Sequence, residues 1–335
     1  MSNKIIRTIC YFTNSQSQQT LEKIEEIAKK LIQAGYIIQT KRICLSNKNL
    51  LEPTLINNHY LISLGSVSKD ELLNRFDFFL NNDFFFNLDL TSEEITDKDV
   101  QILFKMMHKD ANKTFNFAYV FNNPQSSPFF PSGTYSQNGF SIGLQATDLS
   151  ENCQSIEEWL DKIKTSWIEI SDLFKNQSEF LGIDSSIAPL FSGKSSLISF
   201  LKKLGIDFSY STTTDNYLKI TKFIKEENPK SVGLWGLMFP CLEDFELASE
   251  YENGNFSVER NIYLSLHSGL GIDTYPLGID EKPERVKEIL KLLQGLSNKY
   301  NKPLSARFVS DGKTRIGEKT NFQNQYLKDV TIRKL

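Results

Sequence analysis

Two hydrophobic rhythms alternate along the chain. Lys4–Phe12 (KIIRTICYF) is a short apolar run of strand length. The stretch QQTLEKIEEIAKKLIQAG follows, with Leu21, Ile24, Ile27, Ala28, Leu31 and Ile32 recurring at helical spacing and Gly35 as a stop signal. Tyr36–Leu45 (YIIQTKRICL) reads as a second strand, so strand, helix and strand follow one another with short connections. That order predicts a βαβ unit with a parallel strand pair.

The rhythm recurs downstream. Strands are expected at His59–Gly65, Phe115–Asn123 and Phe140–Ala146, with a turn-rich stretch before the last of these. Trp159, Ile163, Trp167, Ile170 and Phe174 form one stripe of a long amphipathic helix, which predicts core packing. Further helices are expected over about 195–204, within 215–227, over Val258–His267 and in PERVKEILKLLQGLSNKY. EFLGI, SVGLWGLMFP, GIDTYPL and PLSARFVS read as strands between them. The Phe-rich run Phe76–Leu90, broken by Asn and Asp, reads as core-facing structure. No fixed-period repeat and no long Pro/Ser-rich linker divides the chain. Some eight or nine strands alternating with helices predict one closed or nearly closed α/β barrel over residues 1–335, with two doubly wound domains as the alternative.

Composition changes this picture little. The 335 residues are 40% hydrophobic and 24% charged, with a formal net charge of −3. No basic excess points to nucleic acid or to acidic membranes. The four cysteines (Cys10, Cys44, Cys153, Cys241) lie far apart without a CxxC pair. A disulfide framework and a zinc knuckle are both excluded, and a reducing, cytoplasmic compartment is expected. No apolar h-region opens the chain, and no run of about 18 apolar residues would span a bilayer. The partner expected is a small molecule, with room left for a homo-oligomer.

Candidate chemistry concentrates where polar residues follow apolar runs, because α/β barrels bind ligands at the C-terminal ends of their strands. Asp184, Ser185 and Ser186 follow EFLGI. An Asp there can hold a metal, act as a base or anchor a hydroxyl, and it can equally cap a turn. Glu243 and Asp244 follow GLMFPCL, where a helix N-terminus also attracts acids. HSGLGIDTYPLG supplies His267, Ser268 and Asp273. Arg307, inside the apolar last strand, requires an anionic partner, either a barrel carboxylate or a substrate anion, and Lys313 follows in DGKTRIG. Cys241 reads as inert packing. Ala188-x4-Gly193-Lys194-Ser195 is a loose match to a phosphate-binding loop, for which only LMFPCLED could supply the magnesium-binding acid. HExxH, GxSxG and GxGxxG motifs are absent.

Four stretches taken together carry a resemblance: GIDSSIAPLFSGKSSLISFLKKLG, GLWGLMFPCLEDFELA, SGLGIDTYPLGID and KPLSARFVSDGKTRIGEKTNF. Upstream, IRTICYF, LIQAGYIIQTKRI, NFAYVFNNPQSSPFFP and FSIGLQATDL fit the same pattern. The chain thereby resembles an uncharacterised prokaryotic family with a pyruvate formate-lyase-like fold. The resemblance implies a single ten-stranded α/β barrel, of the glycyl-radical-enzyme type, made from two parallel half-barrels with surrounding helices. It does not carry over the radical chemistry, which needs an R-V-S-G-Y-like glycyl loop and adjacent barrel cysteines. Here the C-terminal region reads ARFVSDGKTRIG, and no two cysteines are adjacent in sequence. Relatives often place a Cys at the position of Ser268, and the family pattern does not require Gly-Lys-Ser.

The first functional expectation is therefore a non-radical hydrolase or lyase acting on a small polar, anionic metabolite. Asp184, Glu243, Asp244, Asp273 and His267 are its candidate catalytic residues. Arg307, Ser185, Ser186, Ser268 and Lys313 are its candidate binding residues. Buried neighbouring carboxylates are expected to have raised pKa values suited to acid–base work. Asp184, Glu243, Asp244 and Asp273 are the ligands on offer if a divalent metal is used, and no glycyl radical is expected. The alternative is a non-catalytic metabolite- or metal-binding regulator, and the third reading is a P-loop NTPase.

Overall fold

A computed structural model describes residues 4–14, 17–46, 59–131 and 133–335. Eleven strands are found among these residues: β1 (Lys4–Thr13), β2 (Tyr36–Ile38), β3 (Lys41–Leu45), β4 (Leu61–Val67), β5 (Phe84–Asp89), β6 (Phe117–Phe121), β7 (Gly139–Leu144), β8 (Phe180–Asp184), β9 (Ser231–Val232), β10 (Gly271–Pro276) and β11 (Leu304–Val309). The helices are α1 (Gln18–Gln33), α2 (Lys69–Asn74), α3 (Phe76–Leu80), α4 (Asp97–Lys109), α5 (Ile156–Phe174), α6 (Leu197–Lys203), α7 (Phe208–Ser211), α8 (Asn216–Glu226), α9 (Phe245–Glu252), α10 (Val258–His267) and α11 (Pro283–Tyr300).

The elements follow from local chemistry. Helix α1 starts where the Ser17 hydroxyl accepts from the Thr20 N–H at 3.2 Å, and it ends at Gly35 in the left-handed region. Helix α5 starts on Ser155 and buries the whole expected stripe, Trp159, Ile163, Trp167, Ile170 and Phe174. Three sequence expectations change. Tyr36–Leu45 is two strands, β2 and β3, parted at Gln39 and Thr40, and both pair with β1. The Phe-rich run divides into α3 and β5, whose rings pack edge-on or tilted against one another. SVGLWGLMFP is not one strand: β9 ends after Val232, and Gly233 and Trp235 then take positive φ.

All eleven strands belong to one mixed sheet with the order β10-β11-β6-β5-β4-β3-β1-β7-β8-β9, while β2 pairs with β1 off this path. Strands β1, β3, β4, β5 and β6 are mutually parallel neighbours. Strands β7, β8 and β9 are parallel, as are β10 and β11. Antiparallel pairing occurs between β1 and β7 and between β11 and β6. The ladder is open, with β10 and β9 at its ends. Isolated parallel bridges nevertheless join Leu237 to both Ile187 and Gly269, and Pro240 to Asp273. The segment following β9 thus touches the continuation of β8 on one side and β10 on the other.

Side chains alternate between the two faces of this sheet. Ile9, Tyr11, Ile43, Leu45, Phe84, Phe86, Ala306 and Phe308 join the large helix-backed core. Their neighbours turn the other way, where Cys10, Phe12 and Cys44 form a separate buried cluster with Tyr135 and Leu181. Thr8, Arg42, Phe85, Asp273 and Arg307 line a cavity on that second face. One strand period therefore carries both the core and the polar interior.

Strands β10 and β11 approach closely at Gly271, which has φ +102°. A Cβ there would lie 2.1 Å from the Ser305 carbonyl oxygen and 2.6 Å from its nitrogen. Backbone cannot yield as a side chain can, so Gly271→Ala should destabilise the fold by about 2–4 kcal/mol. A urea unfolding midpoint lowered accordingly, with an unchanged slope, is the expected measurement.

Candidate functional site

The cavity has a volume of about 140 Å³. Strands β1 and β3 give it Arg7, Thr8 and Arg42, and β10 and β11 give it Asp273 and Arg307. Glu243 enters from the chain just before α9. Most of the remaining wall is apolar and includes Phe85, Phe115, Phe129, Phe130, Met238 and Tyr326. Tyr326 comes from the C-terminal segment and stacks between Phe115 and Phe191, with ring centroids 6.3 Å and 5.7 Å away.

Arg307 is the hub of the charged groups. Its Nε donates to Asp273 Oδ1 at 2.6 Å, its Nη2 donates to Glu243 Oε1, and its Nη1 donates to the Phe115 carbonyl at 3.4 Å. Arg7 Nη2 lies 3.6 Å from the other Glu243 oxygen. Burial tends to lower the Arg307 pKa, and the two carboxylates outweigh it and hold the guanidinium firmly charged. Burial pushes the Glu243 carboxyl up; Asp273 adds to the rise, while Arg307 and Arg7 oppose it. Among the expected site residues, the structure brings Glu243, Asp273 and Arg307 together.

Arg42 is placed very differently. It is only 6% exposed, yet its Nε and Nη1 have no hydrogen-bond partner among the described residues. Its guanidinium lies 4.6 Å from the centroid of Phe85 and 6.0 Å from that of Phe130. Burial first, and the Arg7 and Arg307 charges after it, bring its pKa down to about 10, so it stays charged at neutral pH. A buried charge without a counter-ion costs several kcal/mol, of which cation–π contacts return about 1–2 kcal/mol. With both acids ionised, three arginines face two carboxylates and leave an excess of one positive charge. Arg7 and Arg42 are the residues that sequence reasoning missed. Arg42 is the second residue of β3, where a basic residue looks like an ordinary solvated one, whereas Arg7 is fourth in β1 and lies inside an apolar run as Arg307 does.

The other expected residues lie elsewhere. Asp184 is buried and accepts from the Ser127 hydroxyl at 2.6 Å, from the Ser186 N–H at 2.9 Å and from the Leu234 N–H at 3.1 Å. It ties three chain segments, and a Cβ on Gly233 would come within 2.0 Å of its Oδ2. The Ser185 hydroxyl donates to the Ile224 carbonyl, and the Ser186 hydroxyl accepts from the Gly236 N–H. Asp244 sits at two helix starts, accepting from the Ser196 hydroxyl and the Leu197 N–H of α6 and from the Glu246 and Leu247 N–H groups of α9. His267 Nδ1 is 2.8 Å from the Ser268 hydroxyl at the end of α10, and burial, with Lys302 nearby, lowers its pKa. None of these lines the cavity, and Lys313 is exposed in its loop.

A divalent metal does not fit the four acids named from sequence. Asp184 and Asp244 are taken up by N–H and O–H donors, and a guanidinium stands between Glu243 and Asp273. Among the described residues no group of three or more His, Cys, Asp or Glu could hold a metal ion. The GKS turn is likewise engaged by acids. Gly193 N–H donates to Glu246, Lys194 lies 3.6 Å from Glu151, and the Ser195 hydroxyl donates to Asp148. Three carboxylates repel a triphosphate from the place where a phosphate loop would hold it. Among the described residues no helix is long and apolar enough to cross a membrane.

Fold and site together define a mixed α/β protein with an arginine–carboxylate cavity on the inner face of a large sheet. The model of the family described as Uncharacterised ACR (DUF711) matches residues 98–324, and the chain belongs to that family. No curated protein matches it. The matched segment contains Glu243, Asp273 and Arg307, while Arg7, Arg42 and Phe85 precede it.

Asp244 gives a pH prediction that is separate from the cavity. Burial raises its pKa to about 7, against about 3.9 for an unfolded Asp. The folded state therefore holds the extra proton between these values, and stability is lost as pH rises through that window. Asp244→Asn cannot ionise, so the melting temperature of the variant relative to the parent should rise between pH 4 and pH 8. A difference that stays flat across this range would show that Asp244 is ionised throughout.

Proposed function

We propose that the protein is a non-radical enzyme of hydrolase or lyase type acting on a small anionic metabolite held in this cavity. The observation that carries the proposal is the charge balance of the cavity, in which two carboxylates are outnumbered by three arginines and one arginine has no counter-ion among the described residues. A bound anion would supply the missing charge. Glu243 and Asp273 are the acid–base pair, and Arg307 holds both in position through its three-way contacts. Burial raises the pKa of Glu243 above the ordinary carboxylate value, the direction that suits a carboxyl group asked to take and give a proton.

In this reading the two sets of parallel strands, antiparallel where β1 meets β7 and β11 meets β6, are half-barrels. The bridges at Leu237 and Pro240 would complete a ten-stranded, pyruvate formate-lyase-like ring as a single domain. A cytoplasmic location and a small-molecule partner, rather than nucleic acid or membrane, accord with a net charge of −3 and no basic face in the sequence. The second reading, a non-catalytic binding protein, is favoured by the close engagement of both carboxylates with Arg307.

The test is incubation of the purified chain with pooled small carboxylic and phosphorylated metabolites, followed by proton NMR for both line broadening and turnover. Turnover should fall about 100-fold or more in Glu243→Gln while line broadening persists. The wild-type pH–rate profile should bend above the ordinary carboxylate range, with that limb missing in the variant. A ligand bound and returned unaltered would make the protein a binding module, and no binding from the whole pool would refute the site itself.

A further inference from the structure

The cavity holds a second unpartnered group besides Arg42. Thr8 Oγ1 is buried without a hydrogen bond, and Thr8 lines the same space. Ile9 pairs with Lys41 and Cys10 with Arg42 in the β1–β3 ladder, so Thr8 and Arg42 are near neighbours on the inner face. A buried polar group left unpaired is unfavourable, and two such groups side by side on one wall mark a place for an acceptor. Arg307 has all three guanidinium nitrogens engaged, and Arg7 leans on Glu243. Among the described residues, the cavity-lining donors that are buried without any hydrogen bond are those of Arg42 and Thr8.

What they can hold is limited by charge, size and lining. An excess of one positive charge matches a monoanion, whereas a phosphate dianion would leave an uncompensated negative charge in a desolvated space. The volume of about 140 Å³ is close to the roughly 150 Å³ apolar cavity that admits benzene. Phe85 and Phe130 flank Arg42, and their rings meet edge to face at 5.2 Å. Phe129 and Met238 continue the apolar wall. A polyhydroxylated sugar acid would find few partners for its hydroxyls here.

We propose that Arg42 and Thr8 seat the carboxylate of a compact aromatic monocarboxylic acid, whose ring lies among Phe85, Phe129 and Phe130. The inference rests on the reading of this cavity as a metabolite site, and it names the class of metabolite. The carboxylate accepts from the guanidinium and the threonine hydroxyl, and the ring fills the apolar part of the space. The body of the ligand then faces the Glu243–Asp273–Arg307 cluster.

Benzoate serves as the probe, with benzamide as its neutral counterpart and acetate and inorganic phosphate as controls. Affinities are read by NMR titration of the full chain, and the melting temperature is measured without ligand. Benzoate should bind at least tenfold more tightly than any of the other three. Arg42→Met should weaken benzoate at least tenfold, and Thr8→Val about threefold. Both variants should melt no lower than the parent, because each removes an unpaired buried polar group; a purely structural role would lower the melting temperature. If Arg42→Met does not fold, Thr8→Val decides alone. The inference falls if phosphate or acetate binds more tightly than benzoate, if the substitutions leave benzoate affinity unchanged, or if both variants melt lower. Binding of phosphate or acetate alone would overturn only the aromatic assignment. Failure of every anion to bind would overturn the metabolite-site reading with it.

Discussion

The interior depends on Arg307. Its guanidinium takes Asp273 from β10, Glu243 from the chain before α9 and the Phe115 carbonyl from the chain before β6. These segments come from distant parts of the sequence, and the sheet is joined only by single bridges where Pro240 meets Asp273. Arg307 thus fastens the place where the ladder is least continuous. A buried ion cluster of this kind adds little net stability, because desolvation offsets most of its attraction, but losing one partner leaves a charge stranded. Its contribution is to geometry: both carboxylates are held on one side of the cavity, with defined oxygens occupied.

Arg42 shows a different arrangement in the same cavity. Aromatic rings lie beside its guanidinium, it has no ion pair among the described residues, and its pKa falls where that of Arg307 rises. The same residue type is saturated at one site and left with free donors at the other. A fold selected for stability alone would place an apolar side chain at position 42, as the surrounding Cys10, Phe12 and Cys44 cluster suggests. Keeping a charge there makes sense when a ligand completes its coordination.

Much of the architecture was legible because periodicity reports burial directly. The α5 stripe and the β1–α1–β2 order could be read from spacing alone. Helix α4 escaped notice because DKDVQILFKMMHK places polar residues among its apolar ones and stands beside a Phe-rich run that dominates the local pattern. The two turns within SVGLWGLMFP were hidden because an apolar run does not reveal a positive φ at Trp235. Among site residues, Arg307 stood out because a charge inside an apolar strand needs an explanation. Asp184 and Asp244 stood out because they follow apolar runs, and the structure gives both a full set of backbone and hydroxyl donors at chain crossings.

The oversight of Arg7 and Arg42 has a topological cause. The expectation that polar residues after strands form the site holds for a sheet in which every strand points the same way. Here β1 runs antiparallel to β7, and β6 runs antiparallel to β11. The C-terminal parts of one set of strands therefore meet the N-terminal parts of the other. Strand ends do not define the site: Arg7 and Thr8 lie in the middle of β1, Arg42 is second in β3 and Asp273 is third in β10. These residues line the cavity from within the strands, so a rule that looks only beyond strand ends finds neither Arg7 nor Arg42. A basic residue inside an apolar strand is informative wherever along the strand it falls, and Arg7 in β1 meets the same criterion that singled out Arg307 in β11.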